Sequence, residues 1–210
     1  MKEEKETWWD IEISDHEKYG LNINYAGKKL VAHLLGDDCQ SVLDVGCGNG
    51  LVYKAIKEEG KLPSKYKGVD LSSKMIETCQ KMYPEVEWEQ EDADQLKEEN
   101  ESYDIVLLFH VHESMNSYQQ SIKEALRVAK KKVIIVFWKG LTNLDEDIIQ
   151  EMPYNGWTSF YCAKKFFTFL KEIDYSYAPW LELYCDGFRY NLYFVLDKEH
   201  QRTESGTLPK

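Results

Sequence analysis

Three glycines at alternate positions, Gly46, Gly48 and Gly50, follow the apolar run Val42-Leu43-Asp44-Val45. Gly46 and Gly48 have no Cβ, so a ligand can lie directly against the backbone around Cys47. A helix beginning just beyond them offers unpaired N–H groups that suit an anionic ligand group. Asp44, at the end of the run, can orient the loop and accept from an ammonium. About 20 residues further on, Asp70 closes Gly68-Val69-Asp70, where a carboxylate can accept both hydroxyls of a ribose. Glu91-Asp92-Ala93-Asp94 follows the next apolar segment, where an acid can accept from an adenine amino group. A glycine loop alone is shared by several nucleotide folds. This one reads D-x-G-x-G-x-G, not the G-x-G-x-x-G of dinucleotide-binding proteins. The plainer alternatives are a tight strand-to-helix turn for the glycines and helix-start positions for Asp70, Asp92 and Asp94.

A second constellation, His110-Val111-His112-Glu113-Ser114, comes directly after the apolar run 103–109. Ligands on open α/β sheets bind outside the carboxyl ends of the strands, so these residues stand beside any reacting group. His110, His112 and Glu113 are the candidates for a general base, useful when a hydroxyl or an ammonium must lose a proton. The two histidines alternate and share one face if the strand continues. Two ligands do not make a metal site, and none is expected. Two other stretches are candidate walls. Residues 7–25 gather Trp8, Trp9, His16, Tyr19 and Tyr25, and can fold over the site or pack on the domain. Residues 139–159 gather Asp145, Glu146, Asp147, Glu151, Tyr154 and Trp157. Acids with aromatics favour a cationic acceptor, although a solvated acidic helix face is the more ordinary reading.

The elements that must position these groups alternate. Residues 24–36 place Leu30, Val31, Leu34 and Leu35 at helical spacing, with Gly36 as a stop. Residues 41–45 form a strand, 51–59 a helix ended by Gly60, and 65–69 a strand. Ser72 then caps a helix that stops at Pro84. Residues 86–89 form a short strand and 103–109 a strand covered on both faces. Tyr118, Ile122, Leu126 and Ala129 stripe a helix, 133–138 is a buried strand, and a helix lies around 163–172. At the end, 181–185 and 188–196 flank Asp186-Gly187, a pair suited to a hairpin. The order implies an α/β fold: a parallel sheet with helices on both faces, finishing antiparallel.

The chain has 210 residues, enough for one α/β domain, with 43% hydrophobic and 30% charged residues. No apolar run is long enough to span a bilayer, and no apolar signal-peptide region follows the polar N-terminus, so a cytoplasmic protein is expected. The net charge of −11 argues against nucleic acid and anionic membranes as partners. The basic cluster Lys130-Lys131-Lys132 reads as a solvated turn between helix and strand. Five scattered cysteines with no Cys-x-x-Cys point to reduced thiols.

With its glycine loop, Asp70, Asp92 and Tyr103-Asp104-Ile105-Val106 in this order, the chain resembles the class I S-adenosylmethionine (AdoMet)-dependent methyltransferases. Motif agreement covers about 41–138 and topology alone extends it to about 198. The resemblance implies a Rossmann-like, seven-stranded, mostly parallel sheet whose last strand is antiparallel. It implies a methyltransferase domain over 37–198, preceded by a lid and helix over 1–36 and followed by a flexible tail over 199–210. It implies AdoMet as cofactor, held by Asp44, Gly46, Cys47 and Gly48 at the methionine part and by Asp70 at the ribose. Asp92 and Ala93 fall at the adenine amino group, Leu71 and Met75 at the ring, and His110 and Tyr19 near the reacting end. The Asn/Asp-Pro-Pro-Tyr motif of DNA and glutamine methyltransferases is absent after the fourth strand. A small-molecule N or O acceptor is therefore expected. A peptide acceptor, or a non-catalytic AdoMet-binding subunit, is the alternative.

Overall fold

A computed structural model of the chain describes residues 25–138, 140–152, 156–175, 177–183 and 190–198. Helix α1 (Tyr25–Leu35) leads into β1 (Ser41–Val45), α2 (Leu51–Glu58), β2 (Lys65–Asp70), α3 (Ser73–Met82) and β3 (Glu87–Gln90). There follow β4 (Tyr103–Phe109), a 3-10 turn at His112–Ser114, α4 (Gln119–Val128) and β5 (Ala129–Phe137). The chain continues through β6 (Leu141–Thr142), β7 (Ile148–Met152), β8 (Gly156–Cys162), α5 (Ala163–Glu172), β9 (Tyr177–Leu183) and β10 (Tyr190–Asp197).

Seven strands form the main sheet in the order β3-β2-β1-β4-β5-β10-β9. The first five run parallel, and β10 is antiparallel to both of its neighbours. The strand order reverses between β1 and β4, so the crevice outside their carboxyl ends is the natural ligand position. Alternation along β1 feeds two cores. Leu43 and Val45 pack with Ile122, Leu126, Phe166 and Leu170 of α4 and α5. Val42 packs with Val31, Leu35, Val52 and Ile56 of α1 and α2. This two-sided burial is why β4, Tyr103–Phe109, is wholly buried and runs apolar without a break from Ile105 to Phe109.

Local chemistry sets the boundaries. Ser72 Oγ accepts from Met75 N at 3.2 Å and caps α3, which stops before Pro84. Gly50, at φ +76, precedes α2; a Cβ there would lie 2.9 Å from the Tyr83 ring. Three expectations and one alternative need correction. Ala129 opens β5 instead of finishing a helix, so β5 starts four residues before the expected Val133. Lys130-Lys131-Lys132 therefore lies in a strand, where Lys131 pairs with Asp38 at 2.8 Å and Lys132 donates to Leu34 O. Among the described residues of 139–159 there is no helix; β6, β7 and β8 make a second, three-stranded sheet in the order β6-β8-β7. No helix begins at Asp92 or Asp94 either: Asp92 Oδ1 accepts from Asp94 N at 2.9 Å in a tight turn. The turn at Asp186-Gly187, and residues 1–24 and 199–210 with Trp8, Trp9, His16 and Tyr19, lie outside the described residues. Among those described, no helix is long and apolar enough to cross a membrane.

Candidate active site

The glycine loop is built by backbone bonds from β1 to β2. Gly46 N and Cys47 N both donate to Val69 O, at 2.8 and 3.0 Å. Gly46 has φ +70, and a Cβ there would sit 2.6 Å from Val111 Cγ2, so the loop is pressed against the turn after β4. Gly48 has φ +53 and differs: its N–H donates to Asp70 Oδ2 at 2.8 Å, yet a Cβ would meet nothing within 4 Å. That open backbone beside an acid is a cradle of the kind a ribose needs. Asp70 Oδ1 accepts from Ser72 N at 2.9 Å, which fixes the carboxylate plane. Leu71 is exposed beside it, while Met75 is buried. Asp92 stands at the surface of its turn and Ala93 packs against the core.

Asp44 is fully buried under the loop. Its Oδ2 accepts from Tyr66 Oη at 2.6 Å, and its Oδ1 is enclosed with no hydrogen-bond partner. Burial, added to by Asp70 and opposed by Tyr66 and Lys28, pushes this carboxyl up to about 7. Lys28 comes from α1 and is itself buried. Its Nζ lies 4.9 Å from the centre of the Phe109 ring, a cation–π contact. Burial, opposed by Asp44, pulls its ammonium down to about 8.

After Phe109 the strand stops. His110 adopts φ +60, and the 3-10 turn follows. The shared face expected of the two histidines does not form. His110 is partly exposed, and its Nε2 lies 2.9 Å from Asn191 Oδ1 of β10. His112 turns into the core: its Nε2 lies 3.1 Å from Ser121 Oγ, its ring is 5.3 Å from that of Phe137, and its Nδ1 is enclosed without a partner. Glu113 is also buried, and its Oε1 accepts from Trp138 N at 2.5 Å, tying the turn to the end of β5. From β8, Tyr161 Oη lies 2.9 Å from the His112 carbonyl oxygen and 2.7 Å from that of Met115, and its one hydrogen serves the pair. The structure thus sets His110 next to Val111, which abuts Gly46, and bonds it to β10, while His112 and Glu113 hold the turn together. Lys28, Tyr66, Asn191 and Tyr193 were missed by sequence reasoning. The hydrophobic patterns around them carry no signal beyond a polar residue in an apolar run.

Residues 43–137 match the family described as "Methyltransferase domain". The matched stretch, from the glycine loop through β5, is the part of the chain that is similar to methyltransferase domains. It is 26% identical over 124 residues to a phthiotriol/phenolphthiotriol dimycocerosates methyltransferase of Mycobacterium leprae, covering 56% of this chain. It spans about two fifths of that relative's length (40%). Two solved structures share the fold. One is the complex between the Haloferax volcanii Trm112 methyltransferase activator and a methyltransferase, with TM-score 0.68 and 12% identity, over 91% of this chain and 97% of the other. The second is the 1,6-didemethyltoxoflavin-N1-methyltransferase of Burkholderia thailandensis with bound 1,6-didemethyltoxoflavin and S-adenosylhomocysteine. Its TM-score is 0.66 at 13% identity, over 89% of this chain and 84% of the other.

Proposed function

We propose that the chain binds AdoMet and methylates a nitrogen or oxygen of a small-molecule acceptor. The observation that carries this is the open backbone at Gly48, held by Asp70 at 2.8 Å. AdoMet supplies an electrophilic methyl on a sulfonium. The chain's own groups suit the rest of the molecule. Asp70 is an acceptor-only carboxylate of the kind that ribose hydroxyls require, and Asp92 with the Ala93 backbone suits the adenine amino group. Exposed Leu71 offers an apolar surface to the ring. At the methionine part, with the backbone of Gly46 and Cys47, Asp44 and Lys28 lie close enough to interact electrostatically. Asp44 Oδ1 lacks a partner and suits the ammonium; Lys28 suits the carboxylate.

The turn after β4 provides the acceptor side. The main task there is alignment of the acceptor in line with the methyl and exclusion of water. His110 is the group placed for it. The small-molecule reading is supported by the Burkholderia neighbour, which holds 1,6-didemethyltoxoflavin together with S-adenosylhomocysteine. A second reading, a subunit that works with a protein partner, draws on the exposed apolar Leu144, Ile148 and Ile149 beside and on β7 and on the activator complex of the Haloferax neighbour.

The test is calorimetric titration with S-adenosylhomocysteine. Single-site binding is expected, lost in Asp70→Ala and in Gly48→Arg. Binding that survives in both variants overturns the cofactor reading. Turnover by the purified chain alone over a panel of phenols and amines separates the small-molecule reading from the partner-dependent one.

A further inference from the structure

The structure assigns His110 a single neutral tautomer, Nε2–H, imposed by a relay through Asn191 and Tyr193 to the backbone of α1. Its Nδ1 is thereby left as a hydrogen-bond acceptor for the O–H or N–H of the methyl acceptor. The inference deepens the proposed function, on which its second half rests.

The polarity of the relay is fixed at its far end. Tyr193 Oη lies 3.1 Å from Gly27 O. A carbonyl only accepts, so the phenol spends its one hydrogen there. Asn191 lies 3.1 Å from the same phenol oxygen and must donate to it, which only its Nδ2 can do. The opposite atom of the amide, Oδ1, then faces His110 Nε2 at 2.9 Å and can only accept. Nε2 therefore carries the hydrogen, and in a neutral ring Nδ1 carries the lone pair. Asn191 and Tyr193 are fully buried, so water does not compete for these bonds. Among the described residues Nδ1 has no partner. Its position is one residue from Val111, which Gly46 touches, at the carboxyl end of β4.

The ring is also held neutral. Burial first, then the Lys28 ammonium on α1, pull His110 down to about 3, against the Asn191 bond. A ring that resists protonation works poorly as a strong base. It works well as a fixed acceptor that orients the hydrogen of a hydroxyl or amine and so aims its lone pair at the methyl. Asn191 and Tyr193 are positioning residues in this scheme, acting through His110. Acceptors without a hydrogen on the attacking atom gain nothing from it.

The experiment is nitrogen-15 NMR of histidine-labelled protein, which distinguishes protonated from bare ring nitrogens directly. In the wild type, His110 is expected to show bare Nδ1 and protonated Nε2 from pH 5 to pH 8. Asn191→Leu should mix the two tautomers. Tyr193→Phe removes the oxygen to which the amide nitrogen donates, so an Nδ1–H form should appear, and adding Asn191→Asp should restore Nε2–H because a carboxylate only accepts. Asn191→Asp alone should keep Nε2–H and raise the pH at which the ring protonates, a change that mere structural damage does not produce. A wild-type ring with Nδ1–H, a doubly protonated ring at neutral pH, or an unchanged spectrum in Asn191→Leu overturns the assignment. Titration of the same samples with S-adenosylhomocysteine separates the two readings. Failure to bind in the wild type counts against the methyltransferase reading, whereas the tautomer stands or falls on the spectra.

Discussion

Asp44→Asn isolates the one carboxyl that the fold buries completely under the glycine loop. Its ordinary value is 3.8, and in the folded chain burial, reinforced by Asp70, raises it to about 7 despite Tyr66 and Lys28. Between those values the native state keeps a proton that the unfolded chain has lost. The native state therefore binds more protons, and stability falls as pH rises through the window, levelling off above about 7. A shift of about 3 units corresponds to roughly 4 kcal/mol across the whole window. Between about pH 5 and pH 7.5 the share is about 2.5 kcal/mol. Lys28 has the opposite sign and its own window. Its folded value of about 8 lies below the ordinary 10.5, so it titrates above this range and stays charged within it. The asparagine does not titrate, and its oxygen still accepts from Tyr66. Urea unfolding of both proteins at the two pH values gives the answer. The stability of the variant relative to wild type should improve by about 2–3 kcal/mol from the lower to the higher pH, a large fraction of a domain's total. A difference independent of pH would refute the buried, proton-holding carboxyl.

Gly46→Ala and Gly48→Ala should part company. The first drives a methyl into Val111 and should lower the melting temperature strongly, while the second costs only about 1–2 kcal/mol for its left-handed backbone yet weakens S-adenosylhomocysteine in calorimetry. Lys28→Met should weaken S-adenosylhomocysteine about tenfold to a hundredfold, the loss of a charge-assisted bond of roughly 1.5–3 kcal/mol. It should leave methylthioadenosine, which lacks the amino-acid group, unaffected; equal losses for both would sink the role given to Lys28. Lys67 is buried at the β2–β3 edge, with Nζ at 2.7 Å from Glu98, 2.8 Å from Glu89, 3.0 Å from Glu91 and 3.4 Å from Glu87. Lys67→Met leaves these carboxylates facing one another and should cost about 3–5 kcal/mol by chemical denaturation. Part of that loss should return as the pH is lowered and the glutamates protonate.

The glycine loop, Asp70 and the strands beside them were legible because each rests on a local rule. A glycine marks positive φ, a strand covered on both faces reads as an unbroken apolar run, and Ser72 announces a helix. β4, Tyr103–Phe109, was read to the residue for that reason. The β5 start was misread because Lys130-Lys131-Lys132 hides a strand edge whose lysines are drawn out to Asp38 and Leu34 O. Residues 139–159 look helical and acidic in sequence, but β8 supplies pairing that local composition does not encode. The histidines show the sharpest limit. Their alternation is a strand pattern, and only the left-handed turn at His110 separates them. Asn191 and Tyr193 sit 81 and 83 positions from His110, and no spacing rule reaches that far.

The place of β10 between β5 and β9 makes the two halves of the site unequal in what they ask of the chain. Gly48 and Asp70 are bonded across 22 positions and need only β1 and β2. The lock on His110 takes a partner 81 residues away, and its last link, Tyr193 to Gly27, spans 166. On the proposed reading, the cradle for the methyl donor is a property of neighbouring strands, whereas the aim of the acceptor is a property of the whole sheet, complete only with β10 in place against β5 and α1.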